Sequence, residues 1–462
     1  MQKNISNKFS IAVAAILLLT TGCKKFLEPD YKNQVSAEIV FASDANAVAA
    51  INGLYIKLGT APQVNGLLTQ LTGFASDELT YNLSSTVYPQ IINNQVQADN
   101  SSLVGFWDFF YATIFQANSI IENATASTGM TAPYKKQIIA ESKFVRAFCH
   151  FYLVNFFGPV PMITVTDKNK TIYAPRSTVD EVYAQIKTDL LDAYNDLPAD
   201  YSVSSSSRIR VNKWGAAALL ARVYLYTKEY ANAETQVNTV LANTGLYALV
   251  SNQDNVFLKN QKESILEWDR TQLTATYEGG MFLSYPGYGL AADHALLPGL
   301  LSSFETGDTR KTNWLKTFGS YTLPYKYKTT SGNTENYIVL RVAEQYLIRA
   351  EARAQQNNIS GSQSDINMIR NRSGLTNDTT MVDKTTAMAA VEKERRAELF
   401  CEWGHRWFDL KRWPSRTSPA AKTRADDVLG ALKTTWNSTA ILFPLPQTSR
   451  DRNPNLTQNE GY

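Results

Sequence analysis

One stretch, residues 178–245, limits the fold more than any other part of this chain. Thr178 and Glu181 form a capping box, and Val179, Val182, Ile186, Leu190, Ala193 and Leu197 recur at three- and four-residue spacing. Pro198 ends that helix, and the serine run Ser204–Ser207 follows as a solvated loop. Asn212 then stands as an N-cap before Trp214, Ala217, Ala218, Ala221 and Leu225, which share one helical face. A break at Lys228-Glu229 leads into a second amphipathic helix with Tyr230, Ala233, Val237 and Leu241, closed by Gly245. Small residues from Gly215 to Ala218, with Ala231 and Ala233, let the two helices approach closely. The chain therefore reads as all-α, built of helix pairs.

This pair looks like a tetratricopeptide unit, whose period is about 34 residues. A further pair is predicted near 340–355 and 363–373, ending at Gly374, with other helices around 38–58, 103–125 and 132–157. Gly158-Pro159 stops the last of these. Long segments at 60–102 and 246–337 interrupt the repeats. They carry much of the Gly, Pro, Tyr and Asn content and predict irregular loops with a few short strands. Length alone suggests about three domains, but a helical array accommodates such a length as one unit.

The N-terminus reads as an export leader. Lys3 and Lys8 precede nine apolar residues, Ile11 to Leu19, too few for the roughly 20 that a membrane-spanning helix needs. Gly22-Cys23 resembles the bacterial lipobox, although Thr20 occupies the place usually held by leucine. The resemblance implies cleavage after residue 22 and a lipid anchor on Cys23, sufficient for stable attachment once two or more acyl chains are present. Removing 1–22 leaves 43 basic against 42 acidic side chains, a balance that offers no field for nucleic acid. Cys149 and Cys401 sit in strongly apolar helical contexts and read as buried free thiols.

The C-terminal third carries a family resemblance. Glu394-Arg395-Arg396-Ala397-Glu398-Leu399-Phe400 leads to Glu402-Trp403-Gly404-His405-Arg406-Trp407-Phe408-Asp409-Leu410-Lys411-Arg412-Trp413, and the chain closes on Asn453-Pro454-Asn455-Leu456-Thr457-Gln458-Asn459. Together with Cys23-Lys24-Lys25-Phe26-Leu27-Glu28, Ser302–Arg310, Arg341–Ala352 and the 140–161 block, these resemble the SusD/RagB family of outer-membrane nutrient-binding lipoproteins. The resemblance implies a leader at 1–22 and a single SusD-like domain at 23–462, with an N-terminal part of about 23–300 and a C-terminal part of about 301–462. It also implies a glycan oligomer as ligand and a SusC-like TonB-dependent transporter as partner, with no cofactor.

Glu394, Glu398 and Glu402 at i, i+4 and i+8 predict one acidic helical stripe. Like charges so placed repel by about 0.2–0.5 kcal/mol per pair, so cations such as Arg341, Arg349, Arg370 and Arg406 are expected to meet them. An inter-helix ion-pair network is favoured over a hydrolytic carboxylate pair, because Leu399, Phe400, Trp403, Trp407 and Phe408 interleave as core. His150, His294 and His405 lack metal-ligand spacing and read as structural, and Gly307-Asp308 with Arg310 reads as a structural turn. No nucleophile elbow or phosphate-cradling glycine loop occurs.

A pyranose stacks its apolar face on an aromatic ring while its hydroxyls take hydrogen bonds. Loop aromatics beside carboxamides are therefore the candidates. Segment 74–100 offers Asp77, Glu78, Tyr81, Asn82, Tyr88 and the run Asn93-Asn94-Gln95, and segment 275–294 offers Tyr277, Tyr285 and Tyr288 among glycines. Asp77-Glu78 serves equally as a loop cap. Three readings stay open at this point: a surface lipoprotein that binds glycan or, alternatively, peptide; a glycoside hydrolase; and a scaffold that binds only protein.

Overall fold

The computed structural model describes residues 36–270, 273–287, 292–418 and 422–462. The leader, Cys23 and Tyr288 lie outside these residues. Before the repeats come α1 (Asp44–Thr60), α2 (Gly66–Ala75) and α3 (Tyr88–Ile92). The stack itself contains α4 (Ser101–Ala126), α5 (Ala132–Phe157), α6 (Val179–Asp196), α7 (Lys213–Tyr226) and α8 (Tyr230–Leu241). After α9 (Tyr277–Gly287) it resumes with α10 (Val342–Gln355), α11 (Ile359–Arg372) and α12 (Lys384–Leu399), followed by α13 (His405–Arg412), α14 (Arg424–Leu432) and a short helix at Gln447–Arg452. Each of α4 to α7 packs on its successor, α8 packs on α10, and α10 packs on both α11 and α12. Such neighbour-to-neighbour stacking is how helical repeats bury faces that no single pair can cover.

Local signals set the helix ends where they are strong. The Thr178 side chain accepts the Glu181 N–H while the Glu181 carboxylate accepts the Thr178 N–H, so the capping box forms as expected. Asn212 caps α7 by accepting the Gly215 N–H at 2.9 Å. Helix α8 stops at Leu241, short of Gly245, where the next N–H, that of Asn243, turns to the Val240 carbonyl three residues back at 3.1 Å. One large apolar core runs from Phe41 to Leu456, and a smaller one lies among α10, α11 and α12 around Leu347, Ile369 and Val391.

Among the described residues, strands in and beside the long interruptions form three antiparallel two-stranded ribbons. β1 (Leu79–Tyr81) pairs with β3 (His294–Leu296), β2 (Ser264–Trp268) with β6 (Tyr337–Arg341), and β4 (Leu315–Phe318) with β5 (Tyr321–Pro324). The fold is therefore helical with a few short strands. Among the described residues no helix is long and apolar enough to cross a membrane, and Cys149 and Cys401 are free and buried.

A buried ionic frame joins the late repeats. Arg341 reaches Glu398 at 2.6 Å, Glu402 at 2.7 Å and Glu263 at 3.1 Å. Arg310 pairs with Asp308, Glu394 and Glu398, and Arg372 with Glu263 and Glu398. Arg370 lies 3.8 Å from Glu394. Two of the expected cations go elsewhere: Arg349 pairs with Asp365, and Arg406 with Asp77 and Glu392. The three-glutamate helical stripe is also corrected. Helix α12 ends at Leu399, and Glu402 arrives from a turn in which Cys401 and Trp403 take φ of 52° and 48°. Glu402 meets Arg341 and Lys326 because the chain reverses, not because it shares the helix.

Candidate functional site

The two nominated segments meet. Helix α2 delivers the chain into β1, whose partner β3 begins more than two hundred residues later, in the register Leu79↔Leu296, Thr80↔Ala295 and Tyr81↔His294. Rings collect around this ribbon. Tyr81 and Tyr88 meet edge to face at 4.8 Å, Tyr81 meets His294 at 5.2 Å, and Phe74 stacks on His294 at 5.7 Å. Such contacts add about 0.5–1.5 kcal/mol per pair beyond area burial. His294 is held by Gln70, whose amide lies 2.9 Å from Nε2, and by Asp293, whose carboxylate lies 3.0 Å from Nδ1. Nδ1 makes no hydrogen bond among the described residues, and the buried ring lies edge-on to Tyr81.

Each candidate has a definite place. Tyr81 and Tyr88 are half-buried, and the neighbouring Asn82 is exposed with its amide donating to the Ala292 carbonyl at 3.0 Å. Tyr277 belongs to another contact. Its hydroxyl donates to the Thr60 carbonyl, its N–H donates to the Tyr337 hydroxyl, and its ring stacks on Tyr337. Gly66 leaves the room for it, since a Cβ there would lie 2.9 Å from the Tyr277 Cβ. Tyr285 lies on α9, and Tyr288 is outside the described residues.

Asp77 is buried and bonded to Arg406 at 2.7 Å and Arg396 at 2.6 Å. Burial pushes its carboxyl up, but the two guanidiniums outweigh that and hold it at about 2. Its role is to pin α13 and α12 to the start of β1, which removes it from any exposed sugar-binding face. Glu78 is buried beside it and accepts the Cys401 N–H at 3.2 Å; burial and then Asp77 raise it to about 7. Asn93 and Gln95 are exposed, whereas Asn94 is buried and donates to the Ala75 carbonyl at 3.1 Å.

Glu278, at the start of α9, is a second buried carboxyl pushed up to about 7 by its burial. The Thr69 hydroxyl donates to Oε1 at 3.0 Å, and Oε2 has no hydrogen-bond partner among the described residues. The folded protein thus keeps a proton here that the unfolded chain releases near pH 4.5, so this group's contribution falls as pH rises from there through about 7. Glu278→Gln is expected to match the wild type near pH 5 and to exceed it by up to about 3 kcal/mol near pH 8. Melting temperatures at the two pH values check this. An equal difference at both would rule the buried charge out as the cause.

Sequence reading overlooked His294 as a ring in the cluster, and it overlooked Arg310, Arg372 and Lys326 in the frame. Their signal, a cation or imidazole among aromatics, becomes legible only once distant segments are paired. Among the described residues no three His, Cys, Asp or Glu side chains are placed to hold a metal ion.

Residues 302–462 match a family model described as the SusD family, and residues 25–225 match one described as starch-binding and associating with the outer membrane. The chain belongs to the SusD/RagB family. SusD-like protein P2 of Formosa agariphila is 26% identical, over 98% of this chain and 100% of its own. Among solved structures, surface glycan-binding protein A from Bacteroides uniformis aligns with a TM-score of 0.77 at 20% identity, over 90% of this chain and 99% of its own. A laminarin-binding SusD-like protein aligns at 0.73 and 23% identity, over 90% and 99% of the two chains. This SusD/RagB protein therefore shares their fold over 90% of its length.

Proposed function

We propose that the protein is a lipoprotein anchored through Cys23 in the outer membrane, facing the cell exterior. It binds a nutrient oligosaccharide without cleaving it and delivers it to a SusC-like TonB-dependent transporter. The observation that carries this reading is the β1–β3 pairing, which gathers half-buried tyrosines and an exposed carboxamide on one patch in a fold shared with glycan-binding proteins. The half-buried rings of Tyr81 and Tyr88 suit the apolar face of a sugar, and Asn82 suits its hydroxyls. Of the carboxylates near the patch, Asp77 is paired with arginines, Glu78 accepts a backbone N–H through one oxygen, and Asp293 accepts the His294 N–H.

Affinity electrophoresis in polysaccharide gels tests the reading. Wild-type protein is expected to be retarded by at least one glycan, and Tyr81→Ala/Tyr88→Ala to bind it at least about tenfold more weakly. Retardation by no glycan, or full retardation of a correctly folded double variant, would contradict it.

A further inference from the structure

Beside α3 lies a cleft of about 570 Å³ whose two walls come from distant parts of the chain. Asn93, Gln95 and Gln97 line one wall, and Asn437, Thr439 and the ring of Tyr462 line the other. We propose that this cleft is a binding site for a neutral oligosaccharide. The proposal rests on the glycan-binding reading above and assigns it a second, hydroxyl-reading surface next to the tyrosine patch.

Three properties of the cleft carry the assignment. The first is its charge. None of its lining side chains is Asp, Glu, Lys, Arg or His, and the Lys433 ammonium at its base is already bonded to two carbonyls and Asn94, so an anionic ligand would lose hydration and find no free cation. A carboxamide both donates and accepts, which is what a sugar hydroxyl requires of its partner.

The second property is that the cleft is built before any ligand arrives. The Lys433 ammonium donates to the Phe74 and Ala75 carbonyls at 2.9 Å and to Asn94 Oδ1 at 2.8 Å, fastening the two walls together at the base. The Thr435 hydroxyl donates to the Asn93 carbonyl at 2.7 Å, and the Tyr462 hydroxyl to the Leu442 carbonyl at 3.0 Å. Walls held in this way cost little ordering entropy on binding.

The third property is open valence. The side chains of Asn93 and Gln95 are exposed and make no hydrogen bond among the described residues. The buried Asn94 between them is fully committed to Ala75 and Lys433. Alternation of one structural carboxamide with two idle ones leaves the idle pair free for a ligand. The volume falls within the roughly 300–1,000 Å³ typical of small-ligand sites.

The test applies the full-length protein to an array of neutral and acidic oligosaccharides, alongside Asn93→Ala/Gln95→Ala and Tyr81→Ala/Tyr88→Ala. The expected result is retention of a neutral oligosaccharide, weakened about tenfold in Asn93→Ala/Gln95→Ala at unchanged melting temperature. If that variant binds as the wild type does while Tyr81→Ala/Tyr88→Ala does not, the cleft is wrong and the glycan reading stands. Retention of acidic sugars alone likewise overturns the cleft. Retention of no sugar overturns both.

Discussion

Glu398→Gln is expected to cost the fold about 3–5 kcal/mol, the loss found when one member of a buried ion pair is removed. Its two oxygens serve three arginines: Oε1 accepts from Arg341 at 2.6 Å and from Arg372, and Oε2 accepts from Arg310 at 3.1 Å. All four side chains are almost fully enclosed. Burial raises the Glu398 carboxyl, but Arg372, Arg341 and Arg310 outweigh it and hold it far below the usual carboxylate range. Glutamine keeps the shape and removes the charge, so three buried arginines that still hold Glu263, Glu402, Asp308 and Glu394 lose the one carboxylate they share. The loss therefore measures the charge imbalance left in the frame, not the net worth of one bridge. Because the folded-state carboxyl is depressed, its contribution is complete above the ordinary glutamate range and is lost only as pH falls well below it. Urea denaturation near neutral pH checks the magnitude, and a loss under about 1 kcal/mol would mean that the frame tolerates an unpaired cluster.

Gly59→Ala is expected to cost about 3 kcal/mol, at or beyond the upper end of ordinary overpacking. A Cβ at this position in α1 would sit 1.8 Å from the Asp269 carbonyl oxygen, which is backbone and has no rotamer to yield. Relief requires α1 to move away from the end of β2, opening the core around Ile51, Leu54 and Leu58. Gly105 provides the contrast. It lies in α4, and a methyl group added there would meet nothing within 4 Å, so Gly105→Ala is expected to stabilise by about 0.5–1 kcal/mol through helix propensity. Thermal melts of the two variants should shift in opposite directions. A Gly59→Ala protein as stable as the wild type would show that α1 is not held against Asp269.

The legible parts of the molecule were those specified locally. The Thr178 capping box, the Asn212 cap and the Gly158 stop each act within a few residues, and the helices they bound appear within one or two positions of the reading. Glu402 was misplaced because its position depends on a reversal through Cys401 and Trp403, non-glycine residues in the left-handed region that a helical spacing rule does not anticipate. Asp77 looked like a loop carboxylate because its partner Arg406 stands 329 positions away.

The candidate site shows the same division. Tyr81, Asn82 and Tyr88 were readable as aromatics beside an amide. Three-residue strands such as β1 and β3 carry too little alternation to announce a pairing across the chain. Tyr277 shared the composition of the patch, but its hydroxyl is bonded to the end of α1 and its ring is stacked on Tyr337. The carboxamide run 93–95 was visible, but its opposite wall comes from the C-terminal tail and no local pattern links the two.

Equilibrium dialysis of the intact protein against an oligosaccharide that it retains, with the recovered sugar sized by mass spectrometry, bears most directly on a non-catalytic glycan receptor. The expected result is saturable binding with the sugar recovered at its original chain length. Shortened sugar, or uptake that never saturates, would contradict it.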